Sequence, residues 1–323
     1  MPLIPLDIPA GGYRNGTDFD QSGRWRDMNL VRWRDGSLRP VGGWRLRAET
    51  AYTGVPRGII AWEDLSGDRR VAVGTFSNLY STSASGTTTD ITPAGFASGN
   101  EAAAVNTGFG GGYFGSSYFG TARPDTGNFA EATTWAMDNW GEYLVACSNT
   151  DGKIYEWQLD TATNAAVVAN APVNNLSIMV TEERFLFALG AGGNPRLVQW
   201  SDRENNTLWT AADTNEAGDL ELQTAGQIMC GLSVRGQSLI LTDQDAHAAT
   251  YQGPPFVYSF ERVGQSCGIA SRKAAVSVDA GAFWMGQEGF FSYSGGTVQE
   301  LPCDVADYVF GDLNRSQASL IHA

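Results

Sequence analysis

Two histidines stand among 323 residues, His247 and His322, so a proton-shuttling site built on imidazole must use one of them. A serine-hydrolase arrangement would take His247, with Asp243 or Asp245 to orient it and a serine from elsewhere in the fold. No GxSxG turn or comparable nucleophile signature is present, and in DQDAH the histidine reads more simply as a turn or sheet-edge residue. Paired carboxylates could hydrolyse a glycosidic bond. The densest acidic stretch holds Asp202, Glu204, Asp213, Glu216, Asp219 and Glu221, beside Trp200 and Trp209. Its simpler reading is a solvated acidic loop. Asp213, Asn215 and Asp219 around Gly218 have the spacing of a calcium loop, yet the twelfth position is Thr224 where a bidentate Glu belongs. Cys147, Cys230, Cys267 and Cys303 are far apart, with no CxxC or zinc spacing, and read as small buried hydrophobes. No glycine loop followed by Lys-Ser/Thr offers a phosphate cradle. These residues predict no enzyme, no cofactor and no metal site.

The elements that carry them are short strands. The chain has 39 Gly, 10 Trp, 11 Tyr and 15 Phe with 17% charged residues, which suits many strands joined by tight turns and disfavours long helices. Alternating apolar runs closed by Gly, Asn or Asp turns recur five times: RRVAVGTFSNLYSTS from Arg69, EYLVACSNTDGKIYEWQL from Glu142, RFLFALGAGGNPRLVQWS from Arg184, SLILTDQDAHAATYQ from Ser238 and AFWMGQEGFFSYSGG from Ala282. Each reads as strand, turn, strand, with an aromatic on the second strand: Tyr80, Trp157, Trp200, Tyr251 and Tyr293. From Val71 the units start 72, 42, 54 and 44 residues apart, so the later spacings fit one four-stranded blade and the first leaves room for a degenerate blade over residues 96–134. There GFGGGYFGSSYFG, residues 108–120, lacks clean alternation and reads as flexible turns between weak strands. The fold expected is all-β, a β-propeller of about six blades over residues 51–323 with a short last blade, a two-sheet sandwich pair being the fallback. Val73, Val145, Phe187, Leu241 and Trp284 are its expected core, and a short helix is expected near the end.

Residues 1–50 form a separate arm. NLVRWRDGSLRPVGGWRLR, residues 29–47, alternates on either side of Asp35-Gly36, a dipeptide that takes the positive φ of a type I′ hairpin turn. The hairpin could equally be an outer part of the first blade. Residues 1–47 hold eight Arg against five acidic residues, a net of +3, so the rest of this −14 chain carries −17. Arg24, Arg26, Arg32, Arg34 and Arg39 with Trp25, Trp33 and Trp44 are the residue types that protein interfaces concentrate, and they are the candidate interface. The acidic balance and pI near 4.5 exclude adhesion to nucleic-acid backbones, which needs clustered cations. The start MPLIPLDIPAGG has neither a cationic n-region nor a long apolar core, and no run of about 18 apolar residues occurs, so no membrane-spanning segment and a reducing cytoplasm are expected.

Taken together, NLVRWRDGSLRPVGGW, WSDRENNTLW at residues 200–209 and LILTDQDAHAATYQGPPFVYSFERVGQSCGIASRKAAVSVDAGAFWMGQEGFFSYSGGTVQELP at residues 239–302 resemble the tail-stabilisation or nozzle proteins of short-tailed bacteriophages. The third stretch is the most specific. It runs through an aromatic strand, Ser266-Cys267-Gly268-Ile269, a Phe-Trp strand and a Gly-Phe-Phe hairpin closed by Gly295-Gly296. The likeness covers roughly residues 25–47 and 180–314 and is thin between. It implies a β-propeller in a homohexameric ring at the end of a virion tail, assembled in the host cytoplasm, touching an adaptor or tail fibre and passing DNA without specific binding. It carries no catalytic residues. This chain departs from the pattern just after DYVFGDLNRSQ, residues 307–317, where family members continue into further strands. The competing expectation is a receptor- or saccharide-binding propeller at the tail tip, with a polysaccharide hydrolase behind it.

Overall fold

A computed structural model describes residues 8–46, 50–103 and 131–323. The Asp35-Gly36 turn, with φ of 52° and 70°, joins β1 (Val31–Arg34) to β2 (Ser37–Pro40) in a two-stranded sheet of its own. That hairpin is shorter than residues 29–47, because Pro40 and Gly42-Gly43 end the second strand. Five four-stranded antiparallel sheets follow in strict sequence order. They are β3 (Pro56–Glu63) to β6 (Thr88–Asp90), β7 (Trp135–Trp140) to β10 (Ala166–Val167), β11 (Ser177–Val180) to β14 (Gly218–Glu221), β15 (Ile228–Val234) to β18 (Val257–Gln265), and β19 (Ala275–Val278) to β22 (Thr297–Leu301). Each repeated hairpin supplies the middle two strands of a different sheet: β4 (Arg69–Thr75) with β5 (Leu79–Ser83), β8 (Tyr143–Ser148) with β9 (Ile154–Trp157), β12 (Leu186–Leu189) with β13 (Leu197–Trp200), β16 (Gln237–Thr242) with β17 (Asp245–Gly253), and β20 (Gly281–Met285) with β21 (Phe290–Ser294).

The middle strands of the second, third and fourth sheets are apolar on both faces because each of these sheets is packed on two neighbours. On β8, Leu144 and Ala146 enter a core shared with the first sheet, while Val145 and Cys147 enter one shared with the third. β12 divides in the same way, with Leu186 and Ala188 toward the second sheet and Phe187 and Leu189 toward the fourth. β16 continues the pattern, Ile240 facing the third sheet and Leu239 and Leu241 the fifth. Val73, Val145, Phe187, Leu241 and Trp284 are all buried. The first strands pack side by side in order, β3 on β7, β7 on β11, β11 on β15 and β15 on β19, which arranges the sheets as the blades of a β-propeller.

Five blades are present among the described residues, where about six were expected. The extra one rested on the 72-residue first spacing. Residues 104–130, including the GFGGGYFGSSYFG stretch, lie outside the described residues, and the flanking residues 96–103 and 131–134 form no strand. Four hydrophobic clusters fill the four gaps between consecutive blades, and among the described residues no fifth cluster joins the last blade to the first. At that seam runs the segment after β22. It forms α1 (Ala306–Gly311) and a 3₁₀ turn, Arg315–Leu320, in which the Gln317 amide group exchanges hydrogen bonds with Ala103 N and O. Ile321 packs into the core of the fourth and fifth blades, and the Ser271 hydroxyl donates to its carbonyl at 2.6 Å.

Candidate functional site

The residues that could have carried catalysis are used by the fold. His247 lies inside β17, paired across the sheet with Ile240 and Arg262 and 4% exposed, so it is neither in a turn nor at a sheet edge. Its Nε2 stands 3.1 Å from Asp245 Oδ1, an oxygen that also accepts from the Thr242 and Thr224 hydroxyls. The acidic stretch is likewise knitted into the third blade. Asp202 accepts the Glu216 amide, Glu216 accepts the Tyr251 hydroxyl, and Glu204 and Glu221 pair with Arg184 and Arg196. Trp200 and Trp209 are buried, their indole N–H groups donating to the Glu216 and Asn206 carbonyls, so neither ring is open for a sugar to stack on. Asn215 caps its own loop through Ala212 and Ala217 instead of facing an ion. Among the described residues no group of three His, Cys, Asp or Glu is placed to hold a metal. Three of the four cysteines are buried, and Cys303 is half-exposed.

What remains accessible is the N-terminal arm. Direct cross-strand pairs share a face, so Val31/Pro40 and Trp33/Leu38 form an apolar side, while Arg32/Arg39 and Arg34/Ser37 form a cationic side. Arg32 and Arg39 are both exposed, directly opposite each other, and make no ion pair among the described residues. Like charges so placed weaken a hairpin unless an outside anion compensates them. Among the described residues Arg34 reaches only its neighbour Asp35, at 3.7 Å. Trp33 packs on Trp25, ring centroids 5.9 Å apart, and Trp44 is 98% exposed with Leu30, Leu38, Val41 and Leu46 also open.

The arm is anchored beyond the last blade. Tyr13 N donates to Trp25 O, Arg14 N to Asp304 O, and the Asn15 amide to Cys303 O. The Arg14 guanidinium lies 3.7 Å from the centre of the Tyr308 ring, and Arg24 pairs with Asp304 at 3.1 Å. Arg24 and Arg26 are therefore occupied within the chain, Arg26 by Asp18. Among the described residues the free cations of the candidate interface are Arg32 and Arg39, with Arg34 alongside. Sequence spacing grouped all five arginines together and could not show which of them Asp304 and Asp18 would neutralise.

Fold and site together define a five-bladed propeller bearing a cationic, aromatic hairpin outside its blades. No protein-family model and no curated protein matches the chain. Among solved structures it is similar to virginiamycin B lyase from Staphylococcus aureus, at 9% identity and a TM-score of 0.44 over 79% of this chain and 72% of that one. It is also similar to PorZ, a surface component of the type-IX secretion system of Porphyromonas gingivalis, at 15% identity and a TM-score of 0.41 over 76% and 33% of the two chains. A third is the Penicillium chrysogenum alpha-L-arabinanase, at 9% identity and a TM-score of 0.36 over 77% and 81%. At such identities and scores these three, which differ in role, say nothing of what this chain does. No helix among the described residues is long and apolar enough to cross a membrane.

Proposed function

We propose that this chain is a non-enzymatic structural subunit of a phage tail, in which residues 51–323 form the propeller body and residues 1–50 an arm that joins copies into a ring. The observation that carries this reading is the exposed Arg32/Arg39 pair, uncompensated among the described residues and attached to a body of net charge −16. A strongly acidic ring repels itself, and cations presented by one copy to the acidic surface of the next offset that repulsion while fixing orientation. Arg34 and the exposed Trp44 extend the same contact. The resemblance of residues 25–47 and 180–314 to tail-stabilisation or nozzle proteins supplies the assembly: a homohexameric ring in the virion tail, beside an adaptor or fibre, built in the host cytoplasm. DNA passes such a ring without being gripped, because an acidic wall displaces no counterions from phosphates.

The test is charge reversal at the pair, Arg32→Glu with Arg39→Glu. Both side chains are solvated, so the circular dichroism spectrum should stay that of the wild type while the oligomer dissociates at lower salt or higher dilution. Exposed pairs contribute about 0.2–1 kcal/mol each, so the loss multiplies over the contacts of a ring. Unchanged assembly of the double variant at low and moderate salt would reduce the hairpin to an ornament on the arm.

A further inference from the structure

The seam between the fifth blade and the first gathers cations in a chain that has few. Arg272 and Lys273 lead into β19 and Arg57 lies on β3. Arg57 donates to Glu101 O, the neighbouring Asn100 amide donates to Glu131 O, and the Glu131 carboxylate pairs with Arg272, so a short run of contacts joins the two sides of the seam. The Arg272 side chain is only 9% exposed. Its Nη2 pairs with Glu131 at 3.0 Å, while Nε and Nη1 are out of solvent with no hydrogen-bond partner among the described residues. Arg57 gives Nη1 and Nη2 to the carbonyls of Pro56 and Glu101, and its Nε is also buried and without a partner among the described residues. Between them runs residue 322, bridged in parallel to Lys273. The His322 imidazole is held below its ordinary value by burial and then by the charges of Lys273 and Arg57. Asp138 of the second blade, whose charge acts on Lys273, already accepts the Val180 and Asn139 amides.

Buried N–H groups without acceptors are rare because leaving them unmet is costly, and guanidinium forks match the oxygens of an oxyanion. We propose that this seam binds a small tetrahedral oxyanion, phosphate or sulfate, held by Arg272 and Lys273 from the last blade and Arg57 from the first. The anion fastens the ring where no strand-to-strand core does so. A guanidinium this deeply placed is beyond the reach of a duplex backbone, so the ligand is the free anion. The seam takes it whether or not copies assemble.

Thermal melts of the intact chain in sodium phosphate and in sodium sulfate, against sodium chloride at matched pH and ionic strength, test the site. A ligand bound only by the folded state raises the melting temperature in a saturable way. The expected result is a rise of a few degrees with either oxyanion and none with chloride, together with saturable heat on calorimetric titration with inorganic phosphate. Arg57→Gln should fold and lose the rise, whereas Arg69→Gln, on an exposed side chain of the first blade, should keep it. Arg272→Gln should lose it as well, and if that variant does not fold, Arg57→Gln decides. Equal melting in chloride and phosphate, or a full rise retained by Arg57→Gln, overturns the proposal. A short DNA duplex that reproduces the phosphate effect overturns it too, because the site would then be open to a polymer.

Discussion

At the scale of residues, the polar groups that look like chemistry are mostly devices of packing. The thiols show it. Burial pushes Cys147 and Cys230 up to about 12 and Cys267 up to about 11, so all three stay protonated at neutral pH and hidden from reagents. Titration of the native protein with a disulfide reagent should therefore modify Cys303 first and the other three only as the fold opens in denaturant. Rapid modification of all four would mean that the blade cores are not closed. Asp64 illustrates a carboxylate working for stability. The Arg70 guanidinium at 2.9 Å, aided by the Ser66 and Asp68 amides, holds its carboxyl below the usual 3.8. A depressed value means that the native state favours the ionised form. The resulting stability is complete above pH 3.8 and is lost as the pH falls through the lower native value. Melting temperatures of wild type and Asp64→Asn should thus differ near neutrality and converge below that pH, and a constant gap down to strong acid would contradict the assignment.

At the scale of elements, blades meet through large side chains laid on small ones. Trp135, on the first strand of the second blade, rests against Gly58 and Gly74 of the first and donates its indole N–H to Thr75 O at 2.7 Å. A Cβ on Gly74 would stand 2.4 Å from the indole ring, so Gly74→Ala should cost about 1–3 kcal/mol by overpacking, measured by urea denaturation. An unchanged midpoint would show that this contact is loose. The same close packing explains what the sequence revealed and what it hid. The middle strands were legible because Leu144-Val145-Ala146-Cys147 and Leu186-Phe187-Ala188-Leu189 are apolar on both faces and end in marked turns. The Asp35-Gly36 hairpin was legible for its turn and for the alternation on either side of it. First strands were not, since WAMDNW on β7 mixes buried and half-buried positions and carries Asp138 and Asn139 in its middle. Outer strands as short as Ala166–Val167 leave almost no pattern. The arginines of the arm could be named from sequence, but their division into neutralised Arg24 and Arg26 and uncompensated Arg32 and Arg39 depends on where Asp304 and Asp18 fall in space.

At the scale of the whole molecule, charge and shape set the behaviour expected. A body of −16 and an arm of +2 give a molecule polarised along its chain, with the arm held to the residues after the fifth blade by Asn15, Arg14 and Arg24. Such a unit suits head-to-tail contacts, in which each copy offers its arm to one neighbour and its acidic surface to the other, and a rotation that closes gives a ring. The strength of that contact should fall with added salt, since the side chains concerned are solvated. Native mass spectrometry of the purified chain, over a series of protein and salt concentrations, tests this most directly. A single closed oligomer at low salt, dissociating to monomer as salt rises and at lower salt for the Arg32→Glu, Arg39→Glu variant, is the predicted result. A monomer at every concentration, or an oligomer indifferent to both salt and the arm, would contradict it.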